Sequence, residues 1–224
     1  MAVSFTDLSF MTDKNIDSYS QEETVQRIIN LTEGLTKFWE SSQGWAPIES
    51  AELLTKSRLD WQASLARQLK LFLSDQLQTE SGALILAWVT LGSLTEGTMK
   101  LFLSVWYEHY QAENIKTDIK AIKDNKGNLI EPDNMVLEKL RVFFAKRIYP
   151  DWVRKNWKDQ GEIDWINWIL IIQQRRNAIH AFKDRDIGTF GEFHNEVKNY
   201  LVFLRKLTDT FPYPDDEMYK PREY

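Results

Sequence analysis

The sequence predicts an all-α fold, a bundle of about six helices with a short hairpin-like insertion near residues 118–133. Three observations carry this. Apolar residues recur at three- and four-residue spacing along most of the chain. One segment, residues 81–111, is apolar on several faces and so belongs at the centre of a bundle. Strand-like alternation is confined to one stretch, Ile119-Lys120-Ala121-Ile122-Lys123.

Taken in order, residues 1–20 form a polar N-terminal segment carrying Asp7, Asp13 and Asp17. Residues 22–39 place Val25, Ile28 or Ile29, Leu31 or Leu35 and Phe38 on one helical face. The next helix starts near Ser50, read as an N-cap before Leu53 and Leu54, and continues through Leu65, Leu69, Phe72 and Leu77. The central helix, residues 81–111, carries Leu84, Leu86, Trp88, Leu91, Leu94, Leu101 and Trp106. Its small residues Gly82, Gly92, Ser93 and Gly97 are places where another helix can come close. Asp124-Asn125-Lys126-Gly127-Asn128 is turn chemistry between two short apolar arms. Helical spacing returns over 135–146, around 151–158, over 163–182 and from about 188 to 211. The expected organisation is therefore one helical domain over 21–211, with an insertion at 118–150 and a C-terminal tail over 212–224.

Composition bounds the function. The chain has 224 residues, 43% hydrophobic and 27% charged, the balance of an ordinary globular protein of one domain. Nine Trp and twelve Phe point to a well-filled core or an aromatic contact surface. The absence of Cys excludes disulfides, thiolate metal sites and a cysteine nucleophile. A net charge of −5 gives no whole-molecule attraction to nucleic acid, so any such binding must come from a local patch. No basic-then-apolar signal layout opens the sequence and no apolar run reaches membrane-spanning length, so a cytoplasmic protein without membrane contact is expected.

The stretch most able to carry chemistry is Gln173-Gln174-Arg175-Arg176-Asn177-Ala178-Ile179-His180. Two arginines and a histidine late in an apolar helix are costly unless exposed or paired. On an ideal helix Gln173, Arg176, Asn177 and His180 share a face, which Asp184 would extend, while Arg175 lies about 140° from His180. Trp165, Trp168, Ile169 and Ile172 bury the start of the same helix. Arginine can clamp a phosphate oxygen and offset developing charge, and histidine can move a proton at neutral pH. These parts suffice for metal-independent RNA cleavage, in which a 2′-hydroxyl attacks its own phosphodiester. The plain structural alternative stands beside it, since Arg and His at a helix C-terminus also complement the helix dipole and cap free carbonyls.

Arg175-Arg176-Asn177-Ala178-Ile179-His180, late in an apolar helix, resembles the HEPN superfamily (higher eukaryotes and prokaryotes nucleotide-binding), whose hallmark is Arg, four to six residues, then His. The apolar stretch with Gly92-Ser93-Leu94-Thr95-Glu96-Gly97 is similar to a HEPN core helix with its small-residue patch and following acid. The resemblance covers roughly residues 82–211 without the insertion. Arg175 stands at the family interval and Arg176 carries the following Asn, so both remain candidates. The resemblance implies a bacterial or phage protein, a homodimer with two motifs facing a cleft, and metal-independent endoribonuclease activity in a stress, toxin–antitoxin or abortive-infection setting. It implies His180 as base, Arg175 or Arg176 holding phosphate, Asn177 in support and Glu96 orienting from across the core. It equally admits a non-catalytic helical module that binds an antitoxin, another protein partner or a nucleotide.

A second candidate is basic and aromatic. Between Lys139 and Lys158, Lys139, Arg141, Lys146, Arg147, Arg154, Lys155 and Lys158 interleave with Phe143, Phe144, Tyr149, Trp152 and Trp157, a pattern that can grip single-stranded RNA by phosphate contact and stacking. Core aromatics beneath a wet basic face give the same pattern. His109 and His194 lack partners at metal-ligand spacing, so neither a metal nor another cofactor is expected.

Overall fold

The computed structural model describes residues 16–117, 122–150, 163–180, 182–214 and 219–223. Among these the chain forms eight α-helices and no named strand. The all-α class is as the periodicity requires. The helix number exceeds six because two apolar segments each break once.

Helix α1, Gln21–Trp39, opens at Ser20, whose hydroxyl accepts from the Glu23 amide at 3.1 Å. Its apolar stripe of Val25, Ile28, Leu31 and Leu35 is buried as the spacing predicts. The segment read as one helix over 50–77 is two, α2 Ile48–Lys56 and α3 Leu59–Gln68, followed by a 3₁₀ turn at Leu69–Leu73. The break is at Ser57, which is extended, with ψ 140, and whose hydroxyl turns back to donate to the Leu53 carbonyl at 2.8 Å. Ser50 is not the cap. The N-cap position belongs to Pro47, and Ser50 lies buried within the first turns of α2.

Helix α4, Ser81–Val105, is the centre of the bundle and packs against α2, α3 and all four later helices among the described residues. It stops at Trp106, with φ −98 and ψ 36, and α5 follows as Tyr107–Thr117. That break turns Tyr107 and Tyr110 inward, where both are buried. The Tyr110 hydroxyl then donates to the Ile130 carbonyl at 2.6 Å and ties the insertion to the bundle. Leu86 departs from the expected interior set, being 53% exposed.

The insertion is a hairpin over its described part, with an antiparallel bridge between Lys123 and Leu129 and a turn at Asp124–Asn128. Gly127 there has φ 84, which explains a glycine at the tip. Helix α6, Leu137–Phe143, runs on into a π turn at Phe144–Ile148. The short helix expected around 151–158 lies outside the described residues. Helix α7 is Trp165–Arg176 and α8 is Phe190–Thr208. Both pack on α4, and α6 lies against α4 and α7. No helix among the described residues is long and apolar enough to cross a membrane.

Candidate functional site

The site is built on α7 and its continuation. Asp164 caps α7, its carboxylate accepting from the Ile166 and Asn167 amides at 3.1 Å each. Trp165, Trp168, Ile169 and Ile172 are buried, fixing the helix by its apolar half. The α-helix ends at Arg176, and Asn177–His180 is a 3₁₀ turn. This changes the expected stripe. A 3₁₀ turn advances about 120° per residue rather than about 100°. His180 is thereby carried away from the face it would share with Arg176 on a continuous α-helix.

The two arginines are placed very differently. Arg175 is 9% exposed. Its guanidinium lies over the Trp88 ring, 4.8 Å from the centroid, and donates to Glu192 at 3.0 Å, with Asp186 at 3.7 Å. Gly188, with φ 62, closes this corner, and a Cβ there would come within 2.8 Å of the guanidinium. Arg175 thus ties α7 to the loop before α8 and to the first turn of α8.

Arg176 points into the groove beside α4. Its Nη1 donates to Glu96 at 2.6 Å, and its methylenes lie on Gly92, where a Cβ would be 2.6 Å from Cδ. Glu96 also receives Lys100 at 2.9 Å. Burial alone would raise the Glu96 carboxyl, but hydrogen bonds from Lys100 and Arg176 outweigh it and hold the group below the usual carboxylate range. The Arg176 side chain is 29% exposed, and Glu96 is its one hydrogen-bond partner among the described residues. A guanidinium has five N–H donors, so several remain directed at solvent.

His180 is exposed at the end of the turn, between Ile179, 46% exposed, and Phe182, which is fully exposed. Asn177 is half-buried at the helix end and Asp184 is exposed in the following loop. Gln173 lies on the side of α7 toward Glu138 of α6, and its Oε1 is buried without a hydrogen-bond partner among the described residues. Glu96, Arg176 and the α7 end are therefore brought together, while Arg175 is withdrawn and His180 stands at the rim.

Of the basic segment, Arg147 faces Glu113 at 3.6 Å. Arg154, Lys155 and Lys158 lie outside the described residues. No cluster of potential metal ligands occurs among the described residues. His194 is buried in α8, its Nε2 3.3 Å from the Phe72 carbonyl. The sequence did not assign Trp88, Lys100 or Glu192 to this site, whereas the run Lys183-Asp184-Arg185-Asp186 was readable either as a surface loop or as lining the mouth of the site. Glu192 was within reach, because Thr189 and Glu192 form a capping box, a pattern readable from spacing. The guanidinium over Trp88 is a contact between distant elements and leaves no local mark. In the comparisons with known proteins, no family model, no curated protein and no solved structure matches this chain.

Proposed function

We propose that the chain is a metal-independent endoribonuclease acting through Arg176 and His180. The observation that carries this is Arg176, aimed by Glu96 on one edge while its remaining donors face solvent beside the turn that ends at an exposed His180. A guanidinium fixed on one side is ready to take a phosphate on the other without further ordering. In the reaction, the 2′-oxygen forms a bond to phosphorus and its proton passes to His180. The bond from phosphorus to the 5′-oxygen breaks, and that oxygen takes a proton from water. A 2′,3′-cyclic phosphate remains. The resemblance to HEPN proteins agrees with this reading, including its stress or phage-defence setting and a second copy bringing a second motif to the cleft. Arg175 serves as the support of the turn, because its guanidinium is already enclosed.

The test is cleavage of RNA with EDTA present by the wild type, His180→Ala and Arg176→Gln, matched for folded content. Loss of about 10²-fold or more at His180, with cyclic phosphate ends in the wild-type product, is the expected result. A wild type that cuts none of the RNAs supplied rejects the reading.

A second reading has its own observation. Ile179 and Phe182 expose apolar surface on either side of His180, as a protein-docking helical module would. On that reading Phe182→Asp abolishes self-association measured by sedimentation, and no RNA is cut.

A further inference from the structure

The segment Tyr219–Glu223 is seated between α1 and α8 by contacts of several kinds. Both Nε and Nη2 of Arg205 donate to one Glu223 carboxylate oxygen, at 3.0 and 2.7 Å, and Arg27 lies 3.9 Å from the same oxygen. Asn30 donates to the Glu223 backbone carbonyl at 3.1 Å. Two residues earlier, Pro221 rests on Gly34, where a Cβ would come within 2.8 Å of the proline ring. Gly34 therefore forms a floor that any larger residue would fill. Tyr19 completes the end wall, its ring 4.2 Å below the Arg27 guanidinium and 5.7 Å from that of Arg205.

We propose that this groove is a peptide-binding site, occupied here by the chain's own segment. In exchange it accepts an extended segment of another protein carrying proline followed two residues later by glutamate. The recognition is specific in kind: a flat floor for the proline, an amide for one backbone carbonyl, and for one carboxylate the two donors of Arg205, with the charge of Arg27, itself hydrogen-bonded to Glu23, beside it. The own segment is an exchangeable occupant. Its ion pair to Arg205 is not sealed from water, the Arg205 and Glu223 side chains being 13% and 22% exposed, and holding residues 219–223 in place opposes it entropically. Tethering supplies the advantage, since a linked segment competes at an effective concentration on the order of millimolar. The proposal is independent of the ribonuclease reading, because none of these residues belongs to that site.

The probe is a fluorescein-labelled peptide Tyr-Lys-Pro-Arg-Glu-Tyr, the sequence of residues 219–224, followed by anisotropy with the full chain. The double variant Pro221→Ala, Glu223→Ala loosens the own segment and is expected to bind the peptide at least about tenfold more tightly than the wild type. A peptide with Gln in place of its Glu is expected not to bind, a control that leaves the protein fold untouched. In the same variant trypsin is expected to cut after Arg222 several-fold faster than in the wild type. Equal binding to both proteins, equal binding of the Gln peptide, or unchanged cleavage each overturns the proposal.

Discussion

At Arg175 a substitution removes the cover of the Trp88 ring, the hydrogen bond to Glu192 and the packing against Gly188 together. At Arg176 it removes one contact to Glu96, which Lys100 still neutralises. Arg175→Gln is therefore expected to lower Tm by roughly 3–10 °C, and Arg176→Gln by clearly less, in thermal melts followed by circular dichroism. Equal shifts would show that the two arginines share one role. This division was only half readable in the sequence. Residue types and spacing marked both positions, and the helix was legible from its apolar half. Which arginine turns inward depends on Trp88, 87 positions earlier in the chain than Arg175, and nothing in the local pattern around 175 carries that information.

Within single elements, the turn that ends α7 and the buried histidine of α8 carry the consequences. Ala178 and Ile179 are compatible with α-helix, so the change to 3₁₀ geometry at Asn177 left no trace in composition, and the expected stripe ran one turn too far. The break at Trp106 was equally hidden, since it contains neither Gly nor Pro and is set by the inward packing of Tyr107 and Tyr110. His194 has its ring enclosed by Phe190, Phe193 and the Phe72 carbonyl, with Glu22 of α1 as the acidic group facing it. Burial lowers its pKa; the Phe72 hydrogen bond and Glu22 act against this without reversing it. The unfolded chain then binds a proton near pH 6.5 that the folded chain refuses. Stability is accordingly complete above about pH 7 and is lost as pH falls through the low sixes toward the folded value. Glu96 acts in a separate window. Its carboxyl is held low, so its contribution persists until the pH falls below about 4.3 and is lost beneath that. Melts across pH 7.5 to 3.5 are expected to show two declines, and His194→Gln is expected to flatten only the upper one. A single decline below pH 5 would contradict the role given to His194.

For the whole molecule, the arrangement is governed by α4, which meets helices from both halves of the chain. That much was legible, because a helix apolar on several faces can only be satisfied at the centre. Gly92 and Gly97 were also readable as close approaches, and they receive Arg176 and Gln62. Trp88 joins the layers: it is fully buried, its indole donates to the Ile187 carbonyl at 2.8 Å, and it meets Phe193 edge-on at 5.2 Å. Trp88→Ala is expected to cost about 3–5 kcal/mol in urea unfolding. Against a total of about 5–15 kcal/mol for a domain, that loss is large enough to leave a substantial unfolded population at 37 °C. A cost under about 1 kcal/mol would mean that the bundle closes without this residue.

Glu96 and Arg176 are separated by 80 positions along the chain. A ribosome that has released α1 to α6 has made the carboxylate but not the arginine it steadies, and the histidine is later still. Closing so long a loop costs entropy that only the packing of α7 onto α4 can offset. For a chain read as cutting RNA, this order of appearance withholds the assembled site from the growing polypeptide. On the proposed reading, the message being translated and the ribosome itself would be the nearest RNA at that moment, and a fragment ending before Arg176 and His180 would lack the residues assigned to cut them.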